Sequence, residues 1–405
     1  MKILQVNAVN RISSTGRICY DLCEFLNGMG HECVVAHSKP TQPVSDNEFI
    51  IGNNRDRKIH AFLSRLSGKQ GYFSKGATNN LLKYMDEFKP DMVFIHNIHA
   101  NYLNFPMLFK YIADNNIAMV VFLHDCWAYT GKCCYYTETG CNKWLNGCGD
   151  CPRLHNDNKS WFLDRTNKVW NHKKALYENI KKFGVIGVSD WITEEAKKAP
   201  LFRKNAQITR IYNWIDFEKF NYDQSKTEEI RKEYDLLDKK VLLCVAPEWI
   251  KRKGVDDIYK LSNMLADDEK LVCIGKLQEG FTMPEGVIHV PHTDSVDVLR
   301  AWYNTADVFV NLSREETFGL VASEAISCGT PVVCYNTTAN PELVGEVCGC
   351  VCKTNSVEDF YKCISLVLAN GKDYYRDNCV SFAKENFNKQ ENLKKILQFI
   401  EKIEN

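Results

Sequence analysis

Short runs of apolar, often β-branched residues alternate with longer amphipathic stretches along the whole chain. In the first half the apolar runs are KILQVNA, ECVVAHS, DMVFIHN, AMVVFLHD, FGVIGVS and QITRIYN. In the second half they are VLLCVAP, KLVCIGK, GVIHVP, DVFVNLS, PVVCYN and GCVCK. Runs this uniformly apolar predict strands buried on both faces, as in parallel sheets covered by helices. Two such series predict two doubly wound α/β domains, over residues 1–200 and 201–385, with the boundary inside 195–222. The last segment, 386–405, carries apolar residues at Leu393, Ile396, Leu397 and Ile400, a helical spacing.

Polar residues gather where the apolar runs end: Asn7, His96, Asn97, His124, Asp125, Ser189, Asp190 and Asn213. Singly, each reads equally well as the cap of a following helix. As a series they predict a shared cleft, because open parallel sheets bind ligands beyond the carboxyl ends of their strands.

The most informative stretch is SREETFGLVASEAISCGTPVV, Ser313 to Val333. It follows the strand ADVFVNLS and reads as a helix over LVASEAISC. Ser313 and Glu316 fit the S-x-x-E capping pattern, which accounts for Glu316 without a ligand. Glu324 is left over. On one continuous helix the eight residues from Glu316 to Glu324 span roughly 12 Å. That resembles the reach from sugar to ribose in a nucleotide diphosphate sugar. The amides of Phe318, Gly319 and Leu320 then stand at the helix start, where unpaired N–H groups and the helix dipole suit a diphosphate. Gly319 permits close backbone approach. On residue chemistry alone, a capped helix and a nucleotide-sugar site remain equal readings.

The same stretch resembles the E-x7-E signature of family-4 retaining glycosyltransferases. TADVFVNLSREETFGLVASEAISCGTPVV follows that family's pattern nearly residue by residue. RKGVDDI (Arg252 to Ile258), IYNWIDFEKF, STGR (Ser14 to Arg17) and GHECVV resemble its lysine-glycine, interdomain, glycine-loop and second-strand segments. The resemblance covers essentially the whole chain. It implies the GT-B fold, two Rossmann-like doubly wound domains facing a cleft, with the terminal helix of 386–405 packing back on the first domain.

The resemblance also implies roles. Glu316 contacts the transferred sugar and Glu324 the ribose hydroxyls. Lys253, with Arg252 and the amides of Phe318, Gly319 and Leu320, holds the diphosphate. His124 lies beside the donor sugar, and Gly16 sits in a loop that approaches it. The implied reaction moves a sugar, with retention, from a nucleotide diphosphate sugar to a glycan or lipid-linked oligosaccharide in bacterial surface polysaccharide synthesis. Front-face displacement, in which the leaving diphosphate takes the acceptor proton, needs no cofactor. The chain departs from the family pattern at Pro247 and Glu248, where many members carry an arginine, and over TTANPE, Thr337 to Glu342.

Composition narrows the alternatives. The 405 residues are 45% hydrophobic and 25% charged, which is globular. Lys+Arg and Asp+Glu are 51 each, so no global field favours nucleic acid. Locally, Arg55 to Lys75 holds six Lys or Arg against one Asp. It reads as a solvated helix and loop, or as a surface facing a membrane or an anionic acceptor. No run reaches the roughly 18 apolar residues of a membrane span. The opening MKILQVNAVN is too short and polar for a signal peptide. The expectation is a cytoplasmic chain, peripheral at the inner face of the membrane. A dehydrogenase is disfavoured because no G-x-G-x-x-G follows the first strand. A GT-B epimerase or hydrolase and a non-catalytic, zinc-stabilised interaction protein stay open.

Eighteen cysteines in a reducing compartment are expected as thiols or metal ligands. Many, such as Cys33, Cys244, Cys273 and Cys334, sit inside apolar runs as small core residues. TGKCCYYTETGCNKWLNGCGDCP differs. Its C-x2-C at Cys148 and Cys151 reads as a metal knuckle, completed by Cys141 and by Cys133 or its neighbour Cys134. Structural zinc on Cys133, Cys141, Cys148 and Cys151 is the leading expectation; core thiols, a disulfide or an iron–sulfur cluster are the others. The segment 126–155 resembles a Cys-rich insertion, after an HDxW motif, in a subgroup of the family.

Overall fold

The computed structural model describes every residue except Thr41, Gln42, Asp294, Glu346 and Asn405. The chain forms two compact units, Met1–Ile211 with Leu393–Asn405, and Tyr212–Asn392.

The first unit holds β1 (Lys2–Val6), β2 (Glu32–His37), β3 (Glu48–Ile50), β4 (Met92–Ile95), β5 (Ala118–Leu123), β6 (Phe183–Gly187) and β7 (Ala206–Arg210). They form one sheet in the order β3-β2-β1-β4-β5-β6-β7, parallel throughout. β4 and β5 are buried along their whole length, which is why they read as unbroken apolar runs. β3 is absent from those runs because its three half-buried residues carry no apolar pattern. β7 pairs with β6, so the first unit extends to Ile211, past the division expected at residue 200. The terminal helix Lys389–Glu404 buries Leu393, Ile396 and Ile400, and its residues from Leu393 onward belong to this unit.

The second unit holds β8 (Lys240–Trp249), β9 (Glu269–Leu277), β10 (Ile288–Val290), β11 (Val308–Asn311), β12 (Val332–Tyr335) and β13 (Gly349–Cys352). Their order is β10-β9-β8-β11-β12-β13, again all parallel. Serine side chains cap several following helices: Ser295 accepts from the Val298 amide and Ser356 from the Asp359 amide.

Candidate functional site

After β8 the chain makes a tight turn at Lys251–Lys253 and enters the helix Val255–Ser262. Gly254 joins the two with φ +82°, and a Cβ there would fall on the Leu312 carbonyl. Only glycine lets this turn press against the end of β11. The Arg314 amide donates to the Arg252 carbonyl at 2.9 Å, and Arg252 Nη1 donates to the Glu315 carbonyl at 3.1 Å. So placed, Lys253 Nζ forms an ion pair with Glu316 Oε1. The Glu316 amide donates to Thr338 Oγ1 at 2.9 Å. Burial pushes the Glu316 carboxyl up, but the Lys253 ammonium, the Arg252 guanidinium and the Ser313 hydroxyl outweigh it and hold the group below its ordinary range. Glu316 is therefore an ionised, cation-bound carboxylate.

The helix after this loop begins at Leu320 and ends at Ser327. Gly319 precedes it with φ +89°, and a Cβ there would approach Leu343 Cδ1 to 2.9 Å. Glu316 thus lies in the loop, not on the helix. The capping reading of Ser313 and Glu316 fails, because the left-handed Gly319 starts the helix three residues later. For the same reason the two glutamates do not share a helix face. Glu324 stands one turn into the helix, 3% exposed, and accepts a 2.9 Å hydrogen bond from the Tyr303 hydroxyl. Among the described residues, the amides of Phe318, Gly319 and Leu320 donate to no protein group. The Phe318 ring is core: it packs edge-on against Phe387 at 5.5 Å and beside Tyr212 at 5.9 Å. What Phe318 offers a ligand is its backbone.

The second unit therefore brings Lys253, Arg252, Glu316, the three amides and Glu324 into one neighbourhood around the loop between β11 and its helix. His124 and Gly16 belong to the first unit. His124 follows β5, buried, with its Nε2 2.9 Å from His96 Nδ1. His96 Nε2 lies 3.1 Å from Gln5 Oε1, while Gln5 Nε2 donates to the Cys19 carbonyl and to Cys33 Sγ. Gln5 Oε1 accepts only, so His96 carries its proton on Nε2 and accepts at Nδ1 from His124 Nε2–H. The relay sets a proton on His124 Nε2. Burial lowers the pKa of His124 to about 4. Gly16 is in the first turn of the helix Ser13–Gly28, not in a loop as expected. A Cβ there would lie 3.1 Å from Val9 Cγ2 and 3.2 Å from the Asn10 carbonyl carbon, so the glycine seats residues 9–11 on the helix.

Two family models match the chain. Residues 226–386 match the one described as Glycosyl transferases group 1. Residues 15–219, half of the chain, match the one described as Glycosyltransferase Family 4. The chain belongs to glycosyltransferase family 4. This glycosyltransferase is 25% identical over 289 residues to a putative colanic acid biosynthesis glycosyl transferase, WcaC, of Escherichia coli; the match covers 68% of this chain and 67% of that protein. It is 27% identical over 186 residues to the capsular polysaccharide biosynthesis glycosyltransferase CapM of Staphylococcus aureus, covering 42% of this chain and 48% of that protein, so under half of CapM is matched. The solved structure of HepE from Anabaena, in complex with UDP, superimposes with a TM-score of 0.68 at 13% identity, covering 99% of this chain and 100% of that one. At that identity the likeness shows the fold alone, which is GT-B.

The transferase's cysteine segment is ordered around one small cavity, lined by Cys133, Cys141, Cys148 and Cys151 together with Lys132 and Thr166. Cys148 has φ +55° between two glycines of positive φ, and its Sγ accepts from the Gly131 amide at 3.3 Å. Two lysines are buried nearby. Lys132 Nζ donates to the carbonyls of Arg153, Leu154 and Asn156 at 2.6, 3.1 and 2.9 Å. Lys173 Nζ donates to the carbonyls of Trp127 and Thr130 at 2.5 and 3.0 Å. Burial lowers the pKa of Lys132, opposed by its neighbours Cys133, Cys151 and Asp157. Burial lowers that of Lys173 to about 7, opposed by Cys148, Cys134 and Asp125. Cys134 lies apart, with His99 and Asp125, the three donor atoms within 4.8 Å of one another.

Sequence reasoning missed Gln5 and Tyr303. Gln5 looks like one polar residue in a strand, and Tyr303 like one aromatic on an amphipathic helix. Neither carries a motif; each matters only through what the fold sets beside it.

Proposed function

We propose that this glycosyltransferase is a retaining enzyme that takes its sugar from a nucleotide diphosphate sugar. The acceptor is a glycan or lipid-linked oligosaccharide of a bacterial surface polysaccharide, a reading supported by the capsular and colanic acid roles its relatives are named for. The observation that carries the donor assignment is the helix start: three unspent amides, with Lys253 on one side and Glu324 one turn inside. Amides and ammonium suit a diphosphate, and a carboxylate accepts two vicinal ribose hydroxyls. Glu316 is assigned to the transferred sugar, and His124 to the same sugar by the family resemblance. In the reaction the bond from the anomeric carbon to the diphosphate oxygen breaks. The acceptor oxygen bonds to that carbon on the same face, and the departing diphosphate takes the acceptor proton. The test is a thermal-shift and calorimetric screen of uridine, guanosine and adenosine diphosphates and their sugar conjugates. One of them stabilises the protein; stabilisation by none overturns the donor reading.

A second element of the reading is structural zinc on Cys133, Cys141, Cys148 and Cys151. The donor set suits zinc, and the shared cavity and the glycine-flanked Cys148 support it. Charge supports it too. Lys132 and Lys173 are buried without a carboxylate hydrogen bond, and four thiolates around one Zn²⁺ leave the two negative charges that two buried ammoniums offset. A tetrahedral site at about 2.3 Å Zn–S sets sulfurs about 3.8 Å apart, so the metal would draw the thiols inward across their cavity.

A further inference from the structure

The basic segment singled out in the sequence folds as the helix Asn54–Ser67, and its solvent face is not simply polar. Arg55, Lys58, Ile59, Phe62, Arg65 and Leu66 are all exposed and recur every three or four residues, so they share one face. The opposite face buries His60 and Ser64. Beside it runs a loop with Trp161, Phe162 and Leu163 exposed, Phe162 by 73%. The two segments form one surface. The Trp161 amide donates to the Arg65 carbonyl at 2.7 Å, and the Phe62 and Trp161 rings meet edge to face at 5.6 Å. Isolated exposed apolar residues are ordinary, but six in one place mark an interaction site.

The charges around these residues decide what the site meets. Arg55, Lys58, Arg65, Lys159 and Arg165 form no ion pair among the described residues. The nearby carboxylates are spent: Asp56 caps its own helix, Asp164 accepts from the Thr166 and Cys151 amides, and Asp157 pairs with Arg153. Protein interfaces deplete lysine, though not arginine, and pair the charges they keep, which these five are not. Aromatic and aliphatic side chains set among unpaired Lys and Arg match the headgroup boundary of an anionic bilayer, which supplies both an apolar layer and counter-charge. A cavity of about 430 Å³ opens at the edge of the patch, with Arg65, Lys159, His155 and Asn101 on its wall. Ser64 Oγ and Asn101 Oδ1 are buried there without a hydrogen-bond partner. Arg65, Lys159 and the Ser64 hydroxyl can face a lipid phosphate there; Asp157, on the same wall, is held by Arg153, and Asn101 Oδ1 can only accept.

We propose that the helix face of Ile59, Phe62 and Leu66 and the loop Trp161, Phe162, Leu163 dock the protein on an anionic phospholipid bilayer. Docking of this kind would bring the enzyme to the lipid-linked acceptor proposed above. It is tested by lipid binding alone, so it fails or stands separately from the donor and acceptor readings.

The full-length protein is sedimented with vesicles of phosphatidylcholine, and of phosphatidylcholine mixed with phosphatidylglycerol. Binding to the mixed vesicles is expected to be tighter by roughly tenfold or more, and to weaken as salt is raised. Phe62→Ser combined with Phe162→Ser lowers it by about tenfold, and Arg55→Gln with Lys58→Gln reduces the preference for the anionic lipid. Unchanged thermal unfolding shows that these variants are folded. Should one unfold, quenching of tryptophan fluorescence by brominated lipids is compared between wild type and Trp161→Phe, and is weaker in the variant. Equal binding to both vesicle types overturns the proposal, as does wild-type binding by the serine variant. So does a concentration-dependent dimer that Phe162→Ser abolishes, with no vesicle binding, since the patch is then an interface between proteins.

Discussion

The Tyr303 hydroxyl donates to Glu324 Oε2 at 2.9 Å, across the gap between the helices Val296–Thr305 and Leu320–Ser327. Tyr303 is fully buried, so this bond sets the orientation of a carboxylate that has little other freedom. If Glu324 receives the ribose, Tyr303 acts through it as a positioning residue. Tyr303→Phe keeps the ring and removes the donor. Its Kd for the nucleoside diphosphate is expected to rise about tenfold, the scale of a hydrogen bond to a charged group. Glu324→Ala should cost more. Calorimetry with the nucleotide found in the screen decides it, and wild-type affinity in both variants would remove the ribose assignment.

Lys253 and Glu316 make a different demand, because each neutralises the other in a largely buried place. Lys253→Met strands the carboxylate and is expected to lower stability by about 3 kcal/mol. Glu316→Gln relieves that charge, so the double variant should regain most of the lost stability. Activity should not follow. Glu316→Gln is expected to reduce turnover roughly hundredfold, the scale of losing one transition-state contact, with little change in nucleotide affinity. A double variant as unstable as Lys253→Met would show that the ion pair does not govern this loop.

His124 gives the transferase a pH signature. Burial holds its folded pKa at about 4, while an unfolded imidazole titrates near pH 6.5. The unfolded chain therefore binds this proton first as pH falls, and stability declines between about 6.5 and 4. The loss from this residue is of order 3 kcal/mol once pH is below both values. His60 is shifted to about 4 as well, and burial and the His124 charge lower His96, so wild type alone is not diagnostic. Denaturant titrations at pH 7 and near pH 4.5 on wild type and His124→Asn separate the His124–His96 pair from His60, and the variant should lose less on acidification. Equal losses would place the proton elsewhere.

Much of this architecture is written in the sequence for a definite reason. Parallel strands buried on both faces must be unbroken apolar runs, so the inner strands announce themselves; of the four half-buried edge strands among the described residues, β7, β10 and β13 still fall in apolar runs and β3 does not. The donor loop is less legible. Ser313 and Glu316 look like a cap, and it takes the left-handed Gly319 to move the helix start to Leu320. Gly16 looks like a loop glycine but is helical. The exposure of Ile59, Phe62 and Leu66 was hidden, because an amphipathic pattern does not say which face the fold covers. Gln5 and Tyr303 act through partners 91 and 21 residues away, a relationship no local pattern encodes.

Two glycines carry the loop's geometry and can be tested directly. Gly254, at φ +82°, faces the Leu312 carbonyl, and Gly319, at φ +89°, faces Leu343 Cδ1 at 2.9 Å. Alanine at 254 meets both a left-handed backbone and a backbone atom that cannot yield. Alanine at 319 meets the same backbone but the end of a flexible side chain. Gly254→Ala should therefore cost about 2–3 kcal/mol and Gly319→Ala about 1–2 kcal/mol. Melting temperatures rank them, and a reversed order would mean that the Lys253 turn is not wedged against β11.

The cysteine cavity separates metal from mere packing. A tetrathiolate zinc site contributes folding energy outright, so removing the ion should unfold its surroundings. Elemental analysis of freshly purified, reduced protein is expected to give about one zinc per chain. Cobalt in its place should show the intense sulfur-to-metal charge transfer of a tetrahedral thiolate site. Cys151→Ser should lose the metal and lower the melting temperature, whereas Cys134→Ser, whose thiol lies with His99 and Asp125, should keep both. The buried lysines sharpen the test. With no thiolates to face, a charge on either lysine is costly, and burial already lowers Lys173 to about 7, so Lys173→Met should hurt the zinc-loaded protein but help Cys151→Ser. Core thiols alone would show no such reversal, and metal-free protein that melts where the loaded form does would leave the four cysteines as packing.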